Sequence, residues 1–443
     1  MLKRKIESYL KIWKDSKYGL FVDGARQVGK TYILKKFLKD NFSNVIYLNL
    51  LMNKTAIETL KGSKNSNDFL FRLSSIVDSP LVKGETAIFI DEIQEFKDFD
   101  IVTLIKDLID LGEFRFVFSG SLLGVSLFNV ESWPVGYMSS IKMYPLDFEE
   151  FLWANNVEQN IIDYVRSLFI NKQKIEDYLF NKFMDLFHKY LLVGGMPDAV
   201  NAFLETNDLN RVILAHQTIE KYYKKDISKY AKESDKLKLQ QMYELIPEEI
   251  NSKSKRFKLS DLKNINRDDD LNVSFKWLTD SGVAIGVYNV SEPTPPLRIN
   301  TNRTLIKLFF VDVGMLTTLL MDIDLKRKIL NQEKSINYGA IYENIVAQLL
   351  NCHGFENLYY YSNKKYGEID FLIELNGEIL PIEIKSGKDY KRHSALNNLL
   401  SIENYNITKA KVFYNGNFYC DNRIEYYPIF MIDFLIKKNI YFL

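Results

Sequence analysis

Along the first third of the chain, short apolar runs alternate with stretches whose apolar positions recur every three to four residues. The runs are YGLFVD (18–23), VIYLNL (45–50), TAIFID (86–91), FRFVFS (114–119) and SIKMYPL (140–146). They are rich in β-branched and aromatic residues and lack the strict in/out alternation of a half-exposed strand. That pattern predicts parallel strands covered on both faces. Strands separated by helical stretches predict an α/β fold.

From Asp147 to about Ala231 the period becomes helical, through DFEEFLWA, FNKFMDLFHKYLLVGGMPDAV and LNRVILAHQTIEKYYKKDISKYA. Gly194-Gly195-Met196-Pro197 is the strong breaker there. Next come three helical stretches, LKLQQMYELIPEEI, LSDLKNI and NVSFKWLTDSG, then the strand-like VAIGVYNV and TLIKLFFVD. Three short helices followed by a hairpin outline a winged helix, with SEPTPPLRINTNR (291–303) as its wing loop. A second α/β unit begins near Asn337 with the helix AIYENIVAQLLNCHG, followed by LYYYS, GEIDFLIEL and EILPIEIKSG. A helix (HSALNNLLSIENY) and the strands KAKVFYN and IEYYPI complete it. The chain thus reads as four segments: an α/β nucleotide-binding domain (1–150), a helical lid (151–232), a winged helix (233–325) and a carboxy-terminal α/β domain (330–443).

Composition narrows the class. With 443 residues, 47% hydrophobic and 26% charged, the chain is an ordinary globular protein of several domains. The 58 basic residues against 57 acidic ones exclude a generally cationic nucleic-acid coat and leave only local basic patches. Cys352 and Cys420 form no C-x-x-C pair and fit a reducing cytoplasm. The basic start MLKRKIESYLKIWKD has no apolar core and does not read as a secretory signal. The run LIKLFFVDVGMLTTLLM is marginal in length and carries Lys307 and Asp312, which argues against a membrane span.

The sharpest chemical signal is GARQVGKT, residues Gly24, Ala25, Arg26, Gln27, Val28, Gly29, Lys30 and Thr31. It follows a predicted strand and opens a predicted helix, which is where a phosphate-binding loop has to sit. Backbone N–H groups and the positive end of the helix attract phosphate. Lys30 bridges the β- and γ-phosphates of ATP, and the Thr31 hydroxyl ligates Mg2+. TAIFIDEIQ then places Asp91 and Glu92 at a strand tip, one to hold the magnesium and the other to orient the attacking water. Ser119 and Ser121 end the next strand, where they either sense the γ-phosphate or cap the following helix. Gln94 either positions substrate or caps.

GARQVGKT, FIDEIQ, FSGSLLG, YPLDFEEFL and YLLVGGMPDAV, in this order, resemble a bacterial and archaeal family of AAA-like (STAND-type) P-loop ATPases. Its members carry a carboxy-terminal domain of unknown function related to PD-(D/E)XK nucleases. KWLTDSGVA, KLFFVDVGML and YENIVAQLL extend the likeness over nearly the whole chain. The resemblance implies the roles given above for Lys30, Thr31, Asp91 and Glu92. It also makes Gly195-Met196-Pro197 similar to a turn that touches adenine, Pro197 being the residue at the base. Family members usually have Gly-Arg after the sensor strand; here PVGYMSS has Gly136-Tyr137. With that arginine missing, slow turnover is expected, since such a finger is worth ~10³–10⁵ in rate.

A second candidate site lies in GEIDFLIELNGEILPIEIKSG. Residues two apart on a strand share a face, so Glu368 projects with Asp370, and Glu383 with Lys385. Asn376-Gly377 signals a tight hairpin that brings the two pairs side by side. Asp370 and Glu383 can then share a magnesium ion, Glu343 on the preceding helix completes the cluster, and Lys385 polarises a phosphate or steadies a water. This resembles the E…D…E-x-K arrangement of PD-(D/E)XK phosphodiesterases and implies a restriction-endonuclease-like fold. The competing reading is a cross-strand salt bridge.

KYYKKDISKYAKESDKLK (221–238), KSKRFK (253–258) and KSGKDYKRH (385–393) interleave basic residues with aromatic ones, as DNA- or RNA-tracking surfaces do, and also as solvated helix faces do. The histidines, His188, His216, His353 and His393, show no metal-ligand spacing. Cys352 beside His353 reads as helix-end packing. The functional expectation is a cytoplasmic ATPase coupled to nucleic-acid binding or cleavage. The alternative is a nucleotide-controlled switch whose carboxy-terminal half docks a protein partner.

Overall fold

The computed structural model describes residues 2–96, 101–120, 136–252, 268–331, 333, 338–387 and 389–437, the side chains of 101–103, 268–271 and 304 excepted. Two expectations lie outside them: the helix at 259–265 with the basic run 253–258, and Ser121. Packing divides the chain into two compact units where the sequence distinguishes four segments. One is residues 4–144 with 280–282, and the other is essentially 145–279 with 283–440.

The first unit is built on five parallel strands: β1 (Gly19–Gly24), β2 (Asn44–Asn49), β3 (Thr86–Asp91), β4 (Arg115–Ser119) and β5 (Met138–Met143). Their spatial order is β2-β3-β4-β1-β5. β3 is buried along its whole length, as its unbroken apolar run requires. Alternate residues of each strand (Phe21, Ile46, Leu48, Ile88, Ile90, Phe116, Phe118) face one side and pack on Leu60, Phe69, Leu73, Ile105 and Leu108 of the covering helices. Ile90 is fully buried there; truncating it to alanine should cost about 2–5 kcal/mol. β4, last but one in sequence, inserts between β1 and β3 and brings three strand tips to one edge, where α/β sheets bind ligands.

The second unit begins with the helices Phe148–Ala154, Gln159–Ile170, Asp177–Val193, Pro197–Thr206, Leu209–Tyr230 and Lys236–Asn251. Its sheet has eight strands: β6 (Ala284–Val290), β7 (Thr301–Phe310), β8 (Leu358–Asn363), β9 (Gly367–Leu375), β10 (Glu378–Lys385), β11 (Ala410–Tyr414), β12 (Tyr419–Asp421) and β13 (Ile424–Pro428), in the order β12-β13-β11-β10-β9-β8-β6-β7. Asn376 and Gly377 both have positive φ, 54° and 81°, as the Asn-Gly signal demands, and they close the β9–β10 hairpin.

The hairpin expected to form the wing is not a separate wing. β6 pairs antiparallel with β7, and on its other edge in parallel with β8, Val287 standing opposite Leu358. It is therefore an interior strand of the carboxy-terminal sheet. The reason is chemical: most of β6 is buried, and a wing exposed on one face offers no such cover. The helix Gly339–Cys352, buried on nearly every side, lies on this sheet. Asn344 accepts from Phe310 N at 2.7 Å and donates to Phe310 O at 3.1 Å. Gln348 accepts from Val313 N at 2.8 Å.

Candidate functional site

In the first unit the loop Gly24–Gly29 leaves β1 and enters the helix Lys30–Asn41. Gly24 has φ 148°, and a Cβ there would collide with the Met143 carbonyl, so glycine is the residue that fits. Gln27 (φ 67°) and Gly29 (φ 94°) also turn left-handed, the alternation that makes a backbone anion nest. Val28 is buried beneath the loop and anchors it. Arg4 Nη1 donates to Val28 O at 3.0 Å and Arg4 Nη2 to Tyr144 O at 2.6 Å, tying the loop to the end of β5.

Lys30 is 9% exposed, and its ammonium donates to Gly24 O at 3.0 Å and Ala25 O at 2.9 Å. Burial lowers its pKa, while the charges of Glu92, Asp91 and Asp23 push it back up. The carboxyl of Asp23, at the tip of β1, is raised by burial.

Register sets Asn49, Asp91 and Ser119 in one row across β2, β3 and β4. Asp91 is the hub of that row. Its Oδ2 accepts from Thr31 Oγ1 at 2.8 Å, Tyr47 OH at 3.0 Å and Asn49 Nδ2 at 3.3 Å, and its Oδ1 accepts from Ser119 Oγ. A carboxylate at the start of a helix beside a threonine hydroxyl is the donor set that a hard dication takes. Burial drives the Tyr47 phenol up to about 12, so it stays a donor at neutral pH. Glu92 follows in the left-handed region, φ 58° and ψ 47°, and its carboxylate accepts from Gln94 Nε2. Tyr47 and Asn49 went unread in the sequence because nothing in VIYLNL marks which strand will lie beside β3. The Ser119 hydroxyl is spent on Asp91. The Tyr137 ring lies 5.2 Å from Lys106 Nζ.

Pro197 belongs to the second unit, where it is the first residue of the helix Pro197–Thr206. The turn before it is pinned through Gly195 N, which donates to Asp312 Oδ2 at 2.6 Å.

The second candidate cluster sits on the β9–β10 hairpin beneath the helix Gly339–Cys352. Glu383 is 6% exposed; its Oε1 accepts from Lys385 Nζ at 2.7 Å and its Oε2 is buried without a hydrogen-bond partner. Burial first, then the charge of Asp370, raises its pKa well above the usual carboxylate range. Asp370 Oδ2 accepts from Ile384 N at 2.9 Å, which fixes its carboxylate against β10. Glu343 is buried on the helix above. Glu383 and Lys385 thus meet as their spacing predicts, yet Glu343, Asp370 and Glu383 do not bring three donor atoms within 4.8 Å of one another. The sequence did not single out Lys307 for this sheet face: it is 1% exposed, and its Nζ lies 2.6 Å from Glu368 Oε1 and 4.4 Å from the Tyr360 ring.

Of the basic runs, Lys221, Tyr222, Lys225 and Lys229 lie on the exposed side of the helix Leu209–Tyr230, with Lys225 Nζ 5.9 Å from the Tyr222 ring. No helix among the described residues is long and apolar enough to cross a membrane.

Residues 16–152 match the family model described as AAA domain. Residues 184–326 and 338–430 each match a model described as a domain of unknown function (DUF8612 and DUF4143). The chain therefore carries an AAA-like P-loop domain in its first third. No curated protein matches it. Similar solved structures include a Walker-type ATPase of Pyrococcus abyssi, at 14% identity over 72% of this chain and 96% of that one, TM-score 0.41. Another is the RuvB Holliday junction branch migration motor of Thermotoga maritima, at 13% identity over 64% and 89%, TM-score 0.30. A third is the ORC1 protein of Aeropyrum pernix in complex with DNA, at 9% identity over 75% and 93%, TM-score 0.28.

Proposed function

We propose that the chain is an ATPase whose first unit binds ATP with Mg2+ and hydrolyses it. The observation that carries this reading is the 2.8 Å hydrogen bond from Thr31 Oγ1 to Asp91 Oδ2 at the mouth of a left-handed glycine loop. Lys30, with the amides of Gly24 to Thr31, holds the β- and γ-phosphates. Thr31 and Asp91 would hold a magnesium ion, which would supply charge neutralisation for transfer of the γ-phosphoryl group to water with ADP as leaving group. Glu92 orients the attacking water. Such chemistry needs little beyond positioning and charge, and these groups suffice. The test is magnesium-dependent ATP turnover with and without DNA or RNA, alongside nucleotide binding by calorimetry. Absence of nucleotide affinity in the folded protein would overturn the reading. The missing arginine makes partner-free turnover slow, below about 10 s⁻¹.

A second proposal concerns the second unit. The orphaned, buried Glu383 Oε2 beside Asp370 and Lys385 favours a divalent-cation site that serves phosphodiester cleavage or binding of DNA or RNA. Metal-dependent nicking lost in Asp370→Ala and Lys385→Ala supports cleavage; no nicking with magnesium or manganese argues for the switch, in which this half docks a protein partner. A pull-down separates the two by whether nucleic acid or one tight protein partner is recovered.

A further inference from the structure

Away from both clusters, four side chains from three distant stretches converge beside the helix Phe148–Ala154. Asp147 is its N-cap; its Oδ1 accepts from Glu150 N at 2.9 Å, while its Oδ2 points to His353 Nε2 at 3.4 Å. Cys352 and His353 are the last residue and the C-cap of the helix Gly339–Cys352. Asp433, in the 3-10 turn Ile429–Phe434, accepts from Phe148 N and Glu149 N and sets its Oδ1 3.4 Å from the same Nε2. Asp147, Cys352, His353 and Asp433 are only 6%, 8%, 4% and 2% exposed.

We infer that Asp147, Cys352 and His353 form a binding site for a divalent transition metal of the zinc class. Among the described residues this is the single group of three His, Cys, Asp or Glu side chains whose ligand atoms all lie within 4.8 Å of one another. Thiolate, imidazole and carboxylate together are the donor set of zinc or cobalt, whereas magnesium takes oxygen ligands. The spacing also fits. Donors about 2.0–2.3 Å from a common tetrahedral centre stand roughly 3.3–3.7 Å apart. Both His353–carboxylate gaps, at 3.4 Å, match that edge. A simple N–H···O bond closes to about 2.9–3.0 Å. Cys352 Sγ donates to Leu349 O at 3.2 Å. On binding, the thiol proton is released to solvent and its bond to Leu349 O is lost, while His353 Nε2 exchanges its contact with Asp147 for the metal and the ring keeps its proton on Nδ1. Every donor is buried, and the site clamps residues 206 apart in the chain, Asp147 and His353.

The rival arrangement is a metal-free imidazolium bridging the two carboxylates. The test uses the full-length protein, stripped with chelator and held in excess magnesium to occupy oxygen-ligand sites, then titrated with Zn2+ or Co2+. The expected result is one equivalent bound, a thiolate-to-cobalt charge-transfer band, and a higher unfolding temperature with zinc. Cys352→Ser, a near-isosteric change, should abolish the band and weaken binding at least ~10-fold, while Cys420→Ser should change neither. Absence of a stoichiometric metal, a band that survives Cys352→Ser, or an unfolding temperature indifferent to zinc but lowered by His353→Gln would overturn the inference and establish the imidazolium bridge.

Discussion

Thr31 and Asp91 stand 60 residues apart in the chain and 2.8 Å apart across the site, joined by a hydrogen bond from hydroxyl to carboxylate. Parallel pairing of β3 with β4, and of β4 with β1, creates this contact, because it brings the acid tip level with the start of the loop helix. The register of the sheet therefore sets the proposed magnesium ligands side by side.

Lys30 opens the helix that follows the loop, and its ammonium is buried on two loop carbonyls. Lys30→Ala should cost ~10²–10³-fold in turnover and weaken nucleotide binding as well. Turnover and calorimetric affinity of the variant at wild-type values would exclude Lys30 from the site.

Glu92→Gln is expected to behave differently. It preserves the hydrogen bond with Gln94 in amide form and removes the base that orients water. Affinity for ATP should hold while kcat drops by ~10²–10⁴-fold. An equal fall in affinity would mean that Glu92 holds ground-state nucleotide instead.

Glu383 illustrates the tension between site and stability. It is buried, raised in pKa by burial and by Asp370, and one of its oxygens has no partner. Glu383→Gln should raise the unfolding temperature of the metal-free protein and abolish any stabilisation by added magnesium or manganese. A variant that is less stable without metal would show that the carboxylate is an ordinary structural ion-pair member.

Acid stability should depend on Glu425. Burial acts to raise its pKa, but hydrogen bonds from Lys172 and Lys411 outweigh it and hold the group down at about 2. A depressed carboxylate contributes stability above its ordinary pKa of 4.5, and that contribution is lost as pH falls from there toward about 2. Glu425→Gln should therefore lower stability at neutral pH and flatten the acid limb of the unfolding-temperature profile. An unchanged limb would place the acid transition elsewhere.

The left-handed glycine loop was legible because its backbone chemistry is local. Gly24, Gly29 and Lys30 must lie within a few residues of one another for a backbone nest to form, and a strand and a helix must flank them. The five strands of the first unit were legible for a related reason: two-faced burial demands unbroken apolar runs, and TAIFID shows one. The Asn-Gly turn and the pairing of Glu383 with Lys385 likewise follow from neighbours along one hairpin.

What the linear order left open was which distant elements lie side by side. Tyr47 and Asn49 became partners of Asp91 only because β2 pairs with β3, and Lys307 met Glu368 only because β6 and β7 extend the carboxy-terminal sheet. The misassigned wing has the same origin, since a hairpin reads alike whether its edge faces water or another strand. Asp147, His353 and Asp433 carry no spacing that links them; burial in one helix-capping corner brought them together. Local backbone chemistry is written in short words of sequence, whereas long-range adjacency arises from the packing of whole layers.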